Sequence, residues 1–175
     1  MKHLKPSLRY ANFLLNEAYS MTQPANESES MTEPTNPNYA AEVAHGFARQ
    51  SIMQNLGAYL ISVTPGQVEI GVDFRNDLTQ QHGYLHAGVV TIIVDSACGF
   101  AAYTLMPPGS GVLTVEYKVN FMAPASGEKF IAVGRVVKAG KTLSVCNGEV
   151  FAVQNGERKV IAVMQATMMR MAEQA

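Results

Sequence analysis

The chain contains no tryptophan, only two cysteines and little charge of either sign. Of its 175 residues 15% are Asp, Glu, Lys or Arg, and the formal net charge is -1. This balance produces no field that would draw the whole protein to nucleic acid or to an anionic membrane, so we expect neither as a partner. Cys98 and Cys146 both fall in apolar runs without the spacing of a bridge or a metal knuckle. They are predicted to be reduced thiols packed as small hydrophobic groups.

Long hydrophobic runs are also missing. Asp95 interrupts the longest apolar stretch before it reaches about 18 residues, so no transmembrane helix is predicted. Near the N-terminus the apolar core Phe13–Leu15 is too short for a secretory signal, which predicts a cytoplasmic location. The scarcity of acids before Glu17 leaves an organelle-transit segment as the alternative. With 47% apolar residues, the chain can still bury the core of one ordinary soluble domain.

The composition changes near residue 40. Residues 20–40 are rich in Ser, Thr, Asn, Pro and Glu and poor in large apolar side chains, which is typical of a solvated linker. We therefore predict a flexible N-terminal extension over 1–38 and a folded domain over 39–171.

The domain begins with a helical pattern followed by strand patterns. One amphipathic helix is expected over 39–56, with Gly57 as its C-terminal cap. Residues 58–64 and 67–73 are β-branched and alternating around Pro65-Gly66, which indicates a hairpin with a tight turn.

Four more strand candidates follow the central segment of the chain. The clearest is Val112–Met122. One face of this strand is predicted to carry Leu113, Val115, Tyr117, Val119 and Phe121, and the other Thr114, Glu116, Lys118 and Asn120. Because the connections Pro124–Glu128, Ala139–Lys141 and Asn155-Gly156 are short, we expect the four strands to pair consecutively as an antiparallel meander. The predicted fold class is α+β, with one antiparallel sheet wrapped around a long central helix.

The central segment His86–Tyr103 contains one carboxylate, Asp95, and no other acidic residue, Lys or Arg. Its run Val89–Val94 suits a strand by β-propensity, with Asp95 then capping a helix from Ser96. Periodicity instead favours one helix that begins at His86 or Ala87, because small or polar residues recur at spacings of three and four. This stripe consists of Gly88, Thr91, Asp95, Gly99 and Ala102. The rest is apolar, so the helix is expected to be buried nearly all round.

A buried ionised acid costs several kcal/mol unless it is compensated. Asp95 is therefore predicted to serve chemistry, or else to be a cap or an acid satisfied by Thr91 or Ser96. At the start of the helix, Ala87 and Gly88 offer unpaired N–H groups with partial positive charge, which suit a carbonyl oxygen that becomes negative during attack.

The helix separates these two groups. Asp95 lies about 12 Å along the axis from the Ala87 amide, whereas a reacting carbonyl must lie about 3 Å from its oxyanion donor and from its attacking group. If both act on one substrate, they must come from two subunits whose helices run antiparallel across a two-fold axis.

A family resemblance rests on the run His82–Gly88, on Asp95, on the strand after Gly111 and on Ala123-Pro124-Ala125. Together they resemble the hotdog-fold thioesterases of the phenylacetic-acid-degradation (PaaI-like) branch, over roughly residues 40–169. The motif is an HGG-type turn with an acid seven residues after the second glycine. Ala87 stands where the first glycine is usual, and the family uses only the backbone N–H of that residue.

The resemblance implies an acyl-CoA thioesterase that releases a free acid and CoA, with no cofactor beyond the coenzyme A of its substrate. Asp95 would be the nucleophile or general base, and the Ala87 amide would polarise the thioester carbonyl. Gln80 matches an Asn or Gln that holds the water or the carbonyl, and Thr114 matches a hydroxyl that positions the acid or the water. The resemblance further implies a homodimer or a dimer of dimers, in which the 112–122 strand pairs with its symmetry mate.

Two histidines lie beside this motif. His86 is either a catalytic base or the donor of a hydrogen bond that fixes the turn. His82 lies four residues earlier in a glycine-containing loop, and no third ligand accompanies the pair, so no metal site is expected.

Arg135, Lys138 and Lys141 cluster around the 139–141 turn. They are candidates to pair with the phosphates of coenzyme A, and a solvated hairpin end is the alternative. Two competing functions are a non-catalytic acyl-CoA sensor and a hotdog dehydratase or hydratase. The sequence contains neither the hydratase-type pattern Asp-x-Asn-Pro-x-x-His nor the dehydratase-type run His-x-x-x-Pro-Gly.

Overall fold

The computed structural model describes residues 33–172. The predicted extension therefore lies outside the described residues up to position 32, and residues 33–38 precede the first helix. The helices are α1 (Tyr39–Ala48), α2 (Ser51–Leu56) and α3 (Ala87–Tyr103), with a 3-10 turn over Asn76–Leu78. The strands are β1 (Tyr59–Thr64), β2 (Gln67–Asp73), β3 (Ser110–Phe121), β4 (Lys129–Ala139), β5 (Leu143–Gln154) and β6 (Glu157–Ala172). None of the helices within 33–172 is long and apolar enough to cross a membrane.

All six strands of the described chain form one antiparallel sheet in the order β1-β2-β4-β5-β6-β3, and α3 packs against its inner face. Four α3 residues, Val90, Ile93, Val94 and Ala97, are at most 1% exposed in this core. The predicted α+β hotdog architecture is confirmed. The β1–β2 hairpin also forms as predicted, with Gly66 in the left-handed region at φ 75°.

The predicted four-strand meander is wrong for its first strand. Strands β4, β5 and β6 pair consecutively, but β3 pairs with β6 and lies at the edge of the sheet. The connection after β3 reverses the chain without forming a hairpin with β4: the Glu128 N–H donates to Val153 on β5, and the Glu128 carbonyl accepts from Phe74 beyond β2. Strand β4 lies three positions from β3 in the sheet, about 14 Å at the usual spacing between strands, which the connection over 122–128 is long enough to span.

The predicted helix over 39–56 is two helices. Gln50 is extended, with φ -78° and ψ 100°, and separates α1 from α2. The buried side chains require this break. Val43 and Phe47 share one face of α1. In a continuous helix, at 100° per residue, Met53 would lie about 240° round the axis from Phe47 and so away from the core. The interruption turns α2 so that Met53 is also buried, at 1% exposed. Gly57 ends α2 in the left-handed conformation as predicted.

The single apolar face predicted for the 112–122 strand is also wrong. A β-bulge interrupts β3, because Thr114 pairs with Met168 and Glu116 with the adjacent Thr167, which leaves Val115 as an extra residue. After the bulge, Tyr117, Val119 and Phe121 pair with Ala166, Met164 and Ala162, which are buried against α3. Before the bulge, Thr114 pairs with the buried Met168 and lies on the same inner face of the sheet. Its neighbour Leu113 therefore lies on the outer face.

Helix α3 is unbroken from Ala87, which confirms the helix and excludes the strand alternative for Val89–Val94. One side of α3 is less buried in the protomer than expected. The predicted stripe residues Thr91, Asp95 and Gly99 remain partly accessible, as does Ser96 beside them. A long accessible strip of α3 is therefore available to a substrate or a second subunit.

Both cysteines are free and buried, as predicted. Burial raises the pKa of the Cys146 thiol to about 12 and raises the pKa of Cys98 as well. Both are therefore neutral packing groups, without thiolate chemistry near pH 7.

Gly134 lies where the sheet closely approaches the backbone of α3. A Cβ added there would lie 2.3 Å from the Ala97 carbonyl carbon and 2.4 Å from the Cys98 nitrogen. We expect Gly134→Ala to lower the free energy of unfolding by about 1–3 kcal/mol, since neither backbone can yield. The matched control is Gly111→Ala on β3, where a Cβ would meet Met171 at an ordinary 3.8 Å. Urea denaturation measures both variants, and equal stabilities would contradict the close approach.

Candidate active site

Asp95 lies halfway along α3, half-buried, and its carboxylate is held by β3. The Thr114 hydroxyl donates a hydrogen bond of 2.9 Å to Asp95 Oδ1. Neither ion pair found within residues 33–172 involves Asp95. Burial raises the pKa of Asp95 above its ordinary value of 3.8, and the Thr114 hydrogen bond opposes part of that rise. Within the described residues the site therefore holds an acid that has a hydrogen bond but no ion-pair partner, and its affinity for a proton is increased.

The two side chains that could have satisfied this acid locally bond elsewhere. The Thr91 hydroxyl donates to the Ala87 carbonyl, and the Ser96 hydroxyl donates to Gln50 Oε1. The structure thus does not support the simple reading of Asp95 as an acid neutralised by its own helix. It brings Asp95 and Thr114 together, as the resemblance implied.

His86 is the N-cap of α3 and differs from its predicted role. Its Nδ1 accepts a 2.9 Å hydrogen bond from the Gly88 N–H, whereas a donating histidine was expected. An accepting Nδ1 requires the neutral imidazole with its proton on Nε2. A Cβ on Gly88 would lie 3.0 Å from His86 Nδ1, so glycine at this position makes room for the cap.

The His86 cap changes the count of free donors at the start of α3. Ala87 and Gly88 were both expected to offer an N–H to a substrate, but the Gly88 N–H is committed to His86. The Ala87 N–H has no acceptor within the described residues. A single free amide therefore carries the positive end of the helix dipole.

Gln80 lies in the loop that leads into α3. Its side-chain oxygen accepts a hydrogen bond from the His82 N–H, and its backbone bonds to Tyr84 and Gly83. This leaves the side-chain NH₂ of Gln80 as a donor. The loop and the Ala87 amide are at one end of α3, while Asp95 and Thr114 meet two turns further along the same helix.

The three predicted phosphate-binding cations do not share one environment. Arg135 donates to Gln67 Oε1 at 2.9 Å and pairs with Glu149 at 2.8 Å. Lys141 instead lines a cavity of about 190 Å³ at the C-terminal end of α3, together with Arg170, which the sequence analysis missed. A phosphate contact by Arg135, Lys138 or Lys141 stays a prediction. In the part of the chain described, no three His, Cys, Asp or Glu side chains gather as metal ligands.

A further residue that the sequence analysis missed is Gln50. It lines a cavity of about 80 Å³ together with Asp95, Ser96 and Thr114. No motif indicated it, because Gln50 belongs to the expected interior of a helix and lines the cavity beside Asp95 only because the chain breaks between α1 and α2. Asp95 therefore lies beside a small cavity with polar groups on more than one side.

Removing the charge of Asp95 tests the electrostatic description. Because folding raises its pKa, the folded protein binds more protons than the unfolded chain between pH 3.8 and the raised value. The free energy of unfolding therefore falls as the pH rises through that window. We expect Asp95→Asn to have a Tm at pH 7 equal to or above that of the wild type, with the difference disappearing near pH 4.

Asp77→Asn is the control for this comparison. Its hydrogen bond from Arg75 lowers the pKa of the exposed Asp77 carboxyl, so its removal should not stabilise the protein at pH 7. A large loss of Tm in Asp95→Asn at pH 7 would show instead that the carboxylate is structural.

Comparison with known proteins identifies the family of this chain. Residues 82–159 match the model of the thioesterase superfamily. A thioesterase family protein of Silicibacter pomeroyi is 48% identical, with a TM-score of 0.75 over 77% of this chain and 98% of that one. Human acyl-coenzyme A thioesterase 13 is 31% identical over 86 residues, which are 49% of this chain and 61% of the human protein. The Escherichia coli PaaI protein from the phenylacetic acid degradation operon is 20% identical, with a TM-score of 0.69 over 78% of this chain and 96% of that one. The chain belongs to the thioesterase superfamily, a family of thioester-hydrolysing enzymes, and it has the PaaI-like hotdog fold that its sequence predicted.

Proposed function

We propose that this protein hydrolyses an acyl-CoA thioester to a free acid and CoA, with Asp95 as the general base. The acyl-CoA class is supported by the similarity to human acyl-coenzyme A thioesterase 13. The observation that carries the proposal is the Asp95 carboxylate itself, which is half-buried, held by Thr114 and open to a cavity. A protein that only bound acyl-CoA would gain nothing from an acid facing an electron-poor carbonyl.

The hydrogen bond from Thr114 gives the two carboxylate oxygens different roles. Oδ1 accepts from Thr114, while Oδ2 has no partner within residues 33–172. Oδ2 takes a proton from a water molecule, whose oxygen attacks the thioester carbonyl carbon and makes the carbonyl oxygen an oxyanion. When the C–S bond breaks, the proton on Asp95 goes to the leaving CoA thiolate. The alternative is direct attack by Oδ2 to form an anhydride; we favour the base because burial raises its proton affinity.

The acyl group of the substrate is expected to lie against α1. A cavity of about 460 Å³ between α1, α3 and the start of β3 is lined by apolar Phe100 and Val112 and by the polar side chains of Glu42, His45 and Arg49, among others. Phe100, Val112 and Gln50 also line the small cavity of Asp95, so the two cavities adjoin. A thioester held at Asp95 could extend its acyl chain into the larger one.

A second subunit is required to complete this site. Ala87 and Asp95 are eight residues apart on an unbroken helix, so about 12 Å separates them along the axis. The Ala87 amide that stabilises the oxyanion must come from a partner protomer. Strand β3 supports such a partner, because it is an edge strand whose Leu113, Val115, Tyr117 and Phe121 are 46–52% exposed. We propose that two β3 strands pair across the two-fold axis of a homodimer.

The role of Thr114 can be tested through the pH dependence of kcat/KM. Activity requires ionised Asp95, so it should fall as the pH drops through the raised pKa of this residue. Thr114→Val removes the hydrogen bond that lowers the pKa of Asp95, so the acid limb of the profile should move to higher pH. Thr114→Ser keeps a hydroxyl and serves as the control. An unchanged acid limb in Thr114→Val would contradict this role.

Whether each active site combines residues of two subunits can be tested by mixing two inactive variants. Ala87→Pro removes only the N–H donor, because proline is favoured at the first position of a helix and His86 already has the extended ψ of 138° that precedes proline. We expect this variant to lose about 10²–10³-fold in kcat. Asp95→Asn should lose at least about 100-fold, the scale expected for losing a base. Release of thiol from a panel of acyl-CoAs measures both.

Refolding the two variants together at equal concentration should restore about a quarter of the wild-type activity. Half of the dimers would then be mixed, and each mixed dimer would combine an intact Asp95 with an intact Ala87 in one of its two sites. If each site belonged to one subunit, the mixture would stay as inactive as its components. Binding of acyl-CoA by the wild type without release of thiol would favour the sensor function instead.

A further inference from the structure

The side chain of Gln50 lies where the two cavities adjoin. It lines the small cavity of Asp95 and also the larger cavity against α1, and it is the only polar side chain common to both within the described residues. Its place follows from the backbone, since Gln50 is the extended residue between α1 and α2. A side chain at this break can point toward α3, and Gln50 reaches Ser96, the residue after Asp95.

The contact with Ser96 gives the Gln50 amide a direction. The Ser96 hydroxyl donates to Gln50 Oε1 in a long hydrogen bond of 3.5 Å. The oxygen is thereby the end that faces Ser96, and the NH₂ group of Gln50 has no acceptor within residues 33–172. Two N–H donors are thus left at the edge of a cavity whose other polar groups include the Asp95 carboxylate.

The helix N-terminus supplies fewer donors than an oxyanion can use. Because His86 occupies the Gly88 N–H, the start of α3 offers the Ala87 N–H alone. A carbonyl oxygen that becomes negative can accept two or more hydrogen bonds, and each preorganised donor contributes to the rate. Besides the Ala87 amide and the side-chain NH₂ of Gln80 in the loop before α3, the oxyanion can accept a donor from the protomer that carries Asp95.

We propose that Gln50 is a further catalytic residue, whose side-chain N–H donates to the carbonyl oxygen of the thioester on which Asp95 of the same protomer acts. This inference rests on the proposed thioesterase function. The oxyanion would then receive one hydrogen bond from the Ala87 amide of the partner protomer and one from Gln50. The acyl chain would pass Gln50 into the cavity against α1.

Gln50→Ala and Gln50→Glu test this role in the full-length enzyme, with the most rapidly hydrolysed acyl-CoA of the panel. We expect Gln50→Ala to lower kcat about 100-fold with KM changed less than about threefold, because the lost bond forms mainly in the transition state. Gln50→Glu cannot donate and adds a negative charge beside Asp95. It should lower kcat at least as much and should also move the acid limb of the pH profile upward.

Gln54→Ala is the matched control. Gln54 lies on the adjoining helix α2 and donates to the Ala48 carbonyl at the end of α1, so it supports the same junction without lining either cavity. We expect its kcat to stay within about twofold of the wild type. Thermal unfolding of all three variants separates loss of the fold from loss of the donor.

Three outcomes would overturn the inference: wild-type kcat in Gln50→Ala, an effect on KM alone, or an equal loss of kcat in Gln54→Ala. None of them would affect the proposed function if Asp95→Asn remained inactive. A wild-type enzyme that hydrolysed no acyl-CoA would instead remove the proposed function, and the inference with it.

Discussion

The hydrogen bond from Thr114 to Asp95 is the interaction on which the site depends. It joins the central helix to an edge strand, and three features of the fold make it possible. Strand β3 crosses to pair with β6, the bulge at Val115 turns Thr114 inward, and the strip of small residues on α3 leaves the carboxylate accessible. Burial works against the ionised acid while the hydroxyl supports it. The carboxylate is therefore held in a defined direction without losing its affinity for a proton.

The second constraint is the length of α3. One rigid helix carries both the acid and the amide that would face the oxyanion, and its rise per residue keeps them too far apart to meet within one protomer. The proposed dimer resolves this separation by symmetry, since two antiparallel helices bring each acid to the other's amide. Gln50 would add a contribution from the acid's own protomer, so that each site draws on α3, β3 and the α1–α2 junction of one protomer and on the start of the partner's α3.

The sequence was most informative where local periodicity and burial agree. The extent of α3, the β1–β2 hairpin, the buried cysteines and the pairing of Thr114 with Asp95 all followed from spacing or from the family resemblance. The errors have non-local causes. The break at Gln50 lets the apolar side chains of both α1 and α2 reach the core, which one continuous helix could not do. The bulge at Val115 depends on the register of β3 with β6. The place of β3 at the edge depends on its pairing with β6, which is distant in the sequence. The accepting role of His86 depends on the orientation of its ring, which the sequence does not specify.

The unpaired margin at β3 also bears on how the molecule assembles. A lone protomer presents backbone donors and acceptors beside four large apolar side chains, the kind of template on which non-native chains stack. The proposed pairing of two β3 strands would cover this edge and make its apolar side chains part of the stability of the dimer. Dilution would then weaken the fold as well as the catalysis, because protomer concentration enters the folding equilibrium itself.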